Sequence, residues 1–85
     1  MWEILSFAKG RTRRKCLEAL SSGPKMPENI AKSSDEHLSH ISGALRELAD
    51  KELVECLTPK ANKNRIYRIT KKGNEVLKGL KEIEE

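Results

Sequence analysis

Two cysteines, three prolines and three aromatic residues are all that 85 residues contain of the side chains that staple, stiffen or anchor a small protein. Cys16 and Cys56 are too few for a disulfide framework, and neither belongs to a CxxC or CxC cluster that could seed a metal site. Both fall on apolar stripes and are read as small core residues, not as the exposed thiolate beside a base that cysteine catalysis requires. No apolar run approaches the roughly 18 residues needed to span a bilayer. Residues 1–8 lack a leading basic region and contain Glu3, so a cytoplasmic protein is expected. Internal repeats, low-complexity tracts and glycine-rich phosphate loops are all missing. A chain of this length buries only about 60–65% of the surface its unfolded form exposes, which argues for one domain, 1–85, and against a large enclosed substrate cavity. These absences leave no constellation for an enzyme and call for neither cofactor nor metal.

What is present is charge, unevenly placed. The net charge is +4. Residues 57–74 hold six cations and no acid, residues 9–15 hold five cations, and residues 26–56 are net acidic. Local density of Lys and Arg is what a polyanion-binding surface requires, because phosphate affinity follows it.

Apolar spacing places the elements. Cys16, Leu17 and Leu20 mark one face of a helix that Gly23-Pro24 stops. Pro27 suits the first position of a second, short helix ending near Ser33, with Glu28 favourable at its start and Ile30 and Ala31 buried. Met26, just before it, is a poor cap. In 37–51 the stripe Leu38, Ile41, Leu45 and Leu48 predicts an amphipathic helix. Its opposite face is centred on Ser39, Gly43, Arg46 and Asp50, with His40, Ser42 and Glu47 on the flanks. Ser39, Ser42 and Gly43 cost helix propensity, Gly about 1 kcal/mol against Ala, and such small side chains let a helix backbone approach another surface. Residues 53–58 and 65–70 read as a β-hairpin around the turn-forming 59–64, with Val54 and Cys56 sharing a face with Tyr67 and Ile69. Thr70 is placed to cap a last helix whose stripe is Val76, Leu77, Leu80 and Ile83. The fold class is therefore mostly α with a small β-hairpin, α+β.

Helix, short helix, turn, amphipathic helix and basic hairpin follow the order of a winged helix-turn-helix domain. Residues 30–32 (IAK), 38–48 (LSHISGALREL), 52–59 (ELVECLTP) and 65–73 (RIYRITKKG) together resemble archaeal winged-helix transcriptional regulators, relatives of the arsenical-repressor and multiple-antibiotic-resistance groups. The resemblance spans roughly 11–80. It implies a three-helix core with a wing and a C-terminal helix, a recognition helix at about 37–51 in the major groove, a wing at 58–65 on the backbone or minor groove, and a homodimer built by the terminal segments. Three departures stand out. Met26 replaces the usual capping Thr or Ser, Gly43 stands where relatives often place a long polar residue, and the clustered thiols of metal-sensing relatives are missing.

Residue chemistry then assigns roles. Ser39, His40, Ser42, Gly43 and Arg46 are the expected base-reading set, Arg46 being able to bond guanine O6 and N7 in a fork. Its bland alternative is an ordinary surface pair with Asp50. Lys60, Lys63, Arg65 and Arg68 are expected on phosphates of double-stranded DNA, and Arg11, Arg13 and Arg14 form a second basic patch. Glu28, Glu47, Glu52 and Glu55 are expected to point away from nucleic acid. His37 and His40 have a spacing that can bind metal, but only Asp35 or Glu36 could supply a third ligand, so they read as a solvated or DNA-facing pair. Trp2, Ile4, Leu5 and Phe7 either fold back on the core or pack with Val76, Leu77, Leu80 and Ile83 across a two-fold axis; the dimer is the expectation. The rival function is a winged-helix protein-interaction module without DNA binding, for which the acidic central segment speaks. Operator, target genes, the sign of regulation and any small-molecule effector are not encoded in a readable way.

Overall fold

The computed structural model describes residues 7, 8, 10–58, 60 and 65–84, with the side chains of Ile83 and Glu84 excepted. Trp2, Ile4, Leu5, Lys63 and the Ile83 side chain, all named above, lie outside the described residues, as does most of the loop 59–64. Among the described residues the elements run α1 (Arg11–Leu20), α2 (Pro27–Ser34), α3 (Leu38–Asp50), β1 (Val54–Cys56), β2 (Tyr67–Ile69) and α4 (Lys71–Glu84).

Each boundary has a local cause. α1 ends where Ser21 and Ser22 turn their hydroxyls back onto the carbonyls of Glu18 and Ala19 at 2.6 and 3.0 Å. Gly23 follows at φ 143°, a conformation that L side chains rarely adopt. Met26 caps α2 without a side-chain hydrogen bond, and Pro27 begins the helix with its φ already set. Asp35 closes α2 in the left-handed region, φ 56°, which Asp tolerates better than most residues. α3 ends in a Schellman arrangement: the Glu52 amide donates to the Ala49 carbonyl at 3.0 Å and the Leu53 amide to Leu48 at 2.9 Å. Glu52, at φ 62°, takes the position that glycine usually fills, and Leu53 is buried directly after it.

The hairpin is antiparallel, with Val54 opposite Ile69, Glu55 opposite Arg68 and Cys56 opposite Tyr67. Val54, Cys56, Tyr67 and Ile69 thus share a face, as alternation required. The strands are shorter than the runs 53–58 and 65–70, although the Leu57 amide still donates to the Ile66 carbonyl at 2.7 Å. β2 is also gripped from its other side, where Lys25 and Tyr67 exchange both backbone hydrogen bonds at 3.0 and 2.9 Å. That bridge ties the α1–α2 connection to the hairpin. Thr70 Oγ1 accepts from the Gly73 amide at 3.0 Å and caps α4. A Cβ on Gly73 would stand 2.1 Å from the Leu53 carbonyl oxygen, so α4 crosses the end of β1 at a distance only glycine permits.

The core joins all helices and the hairpin: Cys16, Leu17 and Leu20 of α1, Ile30 of α2, Ile41, Ala44, Leu45 and Leu48 of α3, Leu53, Val54, Tyr67, and Val76, Leu77 and Leu80 of α4. Each fully buried Leu or Ile side chain contributes about 1.5–3 kcal/mol over its exposed state. Two expectations are corrected here. Leu38, read as part of the buried stripe of α3, is 44% exposed. By helical geometry it sits about 70° from the centre of the face that Ile41, Ala44, Leu45 and Leu48 bury, at the rim. Val76, Leu77 and Leu80, expected at a dimer interface, are covered by their own chain and have no surface left for a partner.

Candidate nucleic-acid interface

α3 is anchored by four buried residues on one side, so its opposite side is displayed rigidly to solvent. Ser39, His40, Ser42, Gly43 and Arg46 are all exposed there. Nothing lies within 4 Å of a Cβ built on Gly43, so the glycine is not required by contacts inside the chain. Among the described residues Arg46 has no ion-pair partner, and the pairing with Asp50 does not form. The guanidinium therefore extends from a face it shares with the hydroxyls of Ser39 and Ser42, the backbone at Gly43 and the side chains of His40 and Asp50.

The second basic patch lies beside this face. The start of α1 and the middle of α3 enclose a cleft of about 420 Å³, with Gly10, Arg11, Thr12 and Arg13 on one wall and Ser39, His40, Gly43, Ala44 and Glu47 on the other. The three arginines of the patch, Arg11, Arg13 and Arg14, differ sharply, and only the first two line the cleft. Arg11 is 80% exposed, and its Nε lies 3.6 Å from Glu36 Oε1. Arg13 is engaged on three sides: Nη2 donates to Glu47 Oε2 at 2.6 Å, Nη1 donates to the Phe7 carbonyl at 3.2 Å, and the guanidinium stacks 4.2 Å above the Phe7 ring. Arg14 Nε donates to Glu18 Oε1 at 2.8 Å. Glu47 thus stands on the flank of this exposed side of α3, facing the cleft, with its carboxylate paired to Arg13. Phe7 packs half-buried on its own chain's core.

Glu36, mostly buried at the turn before α3, is approached by side chains from two elements. Lys15 Nζ approaches Oε1 at 3.4 Å and also donates to the Ser34 carbonyl at 3.0 Å, while His40 Nδ1 stands 4.0 Å from Oε2. This fixes the turn between α2 and α3, and with it the direction in which α3 emerges. His37 and His40 meet edge to face at 5.7 Å. No group of three residues able to hold a metal ion exists among the described residues. Burial, followed by the charge of Glu36, pushes the Cys16 thiol up to about 12. It is therefore protonated at neutral pH. Cys56 is half-buried against the core.

On the hairpin, Lys60 and Arg65 are exposed near the loop. Arg68 is bound to Glu55 directly across the ribbon, so its charge is shared and Glu55 lies on the same side of the ribbon as Arg68. Thr58 Oγ1 accepts from the Ile66 amide at 3.0 Å and closes the ribbon below the loop.

No protein-family model matches the chain, and no curated protein does. Solved structures do. A possible transcriptional regulator for arsenical resistance is 32% identical, with a TM-score of 0.73, over 92% of this chain and 79% of that one. The homodimeric winged helix-turn-helix DNA-binding domain of a possible ArsR-family regulator from Mycobacterium bovis is 25% identical, TM-score 0.68, over 94% and 71%. The reduced form of the B. subtilis regulator YodB shares the fold at a TM-score of 0.82 and 23% identity, over 99% and 84%. The chain spans about half the length of some other matches: 52% of the regulator BldR from Sulfolobus solfataricus and 50% of a MarR family regulator.

Proposed function

This chain belongs to the winged helix-turn-helix transcriptional regulators, and on that premise we propose that it binds duplex DNA as a homodimer and regulates transcription in the cytoplasm, as a binding protein and not an enzyme. The observation that carries the reading is the outward side of α3: hydroxyls at Ser39 and Ser42, an uncovered backbone at Gly43 and a guanidinium at Arg46 without an ion-pair partner among the described residues, all held by a buried opposite side. α3 enters the major groove, Arg46 and the hydroxyls read base edges, and the hairpin cations Lys60, Lys63 and Arg65 grip phosphates. Arg11 adds a phosphate contact beside the groove. Paired α3 helices one duplex turn apart, about 34–36 Å, meet two half-sites. With Val76, Leu77 and Leu80 consumed by the core, the dimer contact falls to the N-terminal segment, with Trp2, Ile4 and Leu5, and to the solvent side of α4.

Duplex affinity measured by fluorescence anisotropy across salt concentrations tests this. Affinity falls steeply with salt, and replacing Lys60, Lys63 and Arg65 by Ala in both protomers weakens all duplexes alike and lowers the slope of log K against log salt by about 5. Absent duplex binding at about 50 mM salt, together with a protein complex that covers Arg46, would establish the interaction-module alternative instead.

A further inference from the structure

Leu38 and Leu57 are the two large apolar side chains that remain exposed among the described residues, each at 44%. Both lie on the elements assigned to DNA, Leu38 at the first position of α3 and Leu57 at the end of the ribbon. Leu38 precedes Ser42 and Arg46 at four-residue spacing, so it borders the reading face at its rim, beside Ser42 and toward the N-terminal end of the helix. The chain's own core does not cover it, and a leucine has nothing to offer a phosphate or a polar base edge.

The major groove presents one apolar group, the 5-methyl of thymine. We infer that Leu38 is a specificity-determining residue that reads a thymine methyl in each half-site. This rests on the DNA-binding reading above, and adds to it a base preference that hydrogen bonding by Ser39, Ser42 and Arg46 does not supply. A leucine set against a methyl buries both, whereas the amino group of cytosine or adenine at the same place loses water without gaining a partner. The preference is therefore for thymine and not merely for an A·T pair.

The test uses the full chain and a duplex it selects from a random library. Each thymine is replaced in turn by deoxyuridine, which removes the methyl and leaves every hydrogen-bonding group. Wild-type affinity falls about three- to fivefold at one thymine and at its symmetry mate, the effect of losing one buried methyl. Leu38→Ala binds the thymine and deoxyuridine duplexes equally at that position and keeps the wild-type salt slope; Leu38→Met retains the discrimination. Because Leu38 is half exposed, both variants keep the wild-type melting temperature within a few degrees. If every deoxyuridine effect persists unchanged in Leu38→Ala, or none exists in wild type, the inference is overturned while DNA binding stands. If wild type selects no duplex at all, the DNA-binding reading falls and takes the inference with it.

Discussion

Replacing Gly43 by Ala separates what α3 does for the fold from what it does for a ligand. An interior helical glycine costs about 1 kcal/mol relative to alanine, through the backbone entropy it loses on folding. The added Cβ would meet no atom within 4 Å, so no steric penalty offsets this gain. Gly43→Ala is therefore expected to stabilise the free protein by about 0.5–1 kcal/mol, a rise in Tm of about 3–6 °C for a domain of this size. Under the proposed DNA-binding reading, the same methyl stands on the face that approaches the base edges, where the backbone needs the space. Affinity for a selected duplex is expected to fall about tenfold, which is about 1.4 kcal/mol. Circular-dichroism melting and anisotropy titration on one preparation give both numbers. A stabilised variant that binds DNA as tightly as wild type would refute the close approach at Gly43, and a destabilised variant would refute the open environment.

Two further outcomes follow from the charge network and the core. Arg13 is held by Glu47 and Phe7, so Arg13→Met is expected to cost about 1 kcal/mol of stability, discounted for partial exposure, with a coupling to Glu47→Gln of about 0.5 kcal/mol in a double-mutant cycle. The salt slope of duplex binding stays unchanged in Arg13→Met; a drop of about 2, one contact from each protomer, would make Arg13 a phosphate ligand instead. Cys16 supplies an alkaline signature. Its thiol is raised from 9.0 to about 12 in the folded chain, so between those values the unfolded chain has released a proton that the folded chain keeps, and stability falls as pH rises through that window. Chemical denaturation from pH 8 to 11 is expected to show a steeper loss in wild type than in Cys16→Ala, and equal slopes would contradict the buried protonated thiol.

Much of this architecture is written in short-range pattern. The α3 periodicity, the Gly23 stop, the Thr70 cap and the pairing of Val54 and Cys56 with Ile69 and Tyr67 each depend on residues within a few positions or on simple alternation, and each is present. What periodicity leaves unresolved is what covers a stripe. Leu38 shares the spacing of Ile41, Leu45 and Leu48 yet lies at the rim, and nothing in spacing alone distinguishes rim from centre without weighing Ala44 as a core residue. Val76, Leu77 and Leu80 read from spacing as a stripe for a partner helix; the glycine crossing at Gly73, a contact far along the chain, brings α4 onto β1 and turns that stripe into the chain's own core.

Long-range pairs between like-looking surface charges were equally opaque. Arg13 and Glu47 are 34 residues apart, and Lys25 reaches Tyr67 through backbone groups that carry no side-chain signal. Glu52 in the left-handed position was hidden for a related reason, since the usual glycine marker is missing there. The exposure of the outward side of α3 was legible because its composition violates local economy: serines and a glycine occupy a helical surface where lysine, glutamate or alanine would stabilise more.

The central claim concerns which surface meets DNA, and amide chemical-shift mapping of the labelled protein titrated with a selected duplex examines it most directly. The account predicts the largest shifts at Leu38, Ser39, Ser42, Gly43 and Arg46, a second group at Lys60 and Arg65, and little change along Glu28, Asn29 and Lys32 of α2. Shifts concentrated on α2 or α4, with α3 silent, would contradict it.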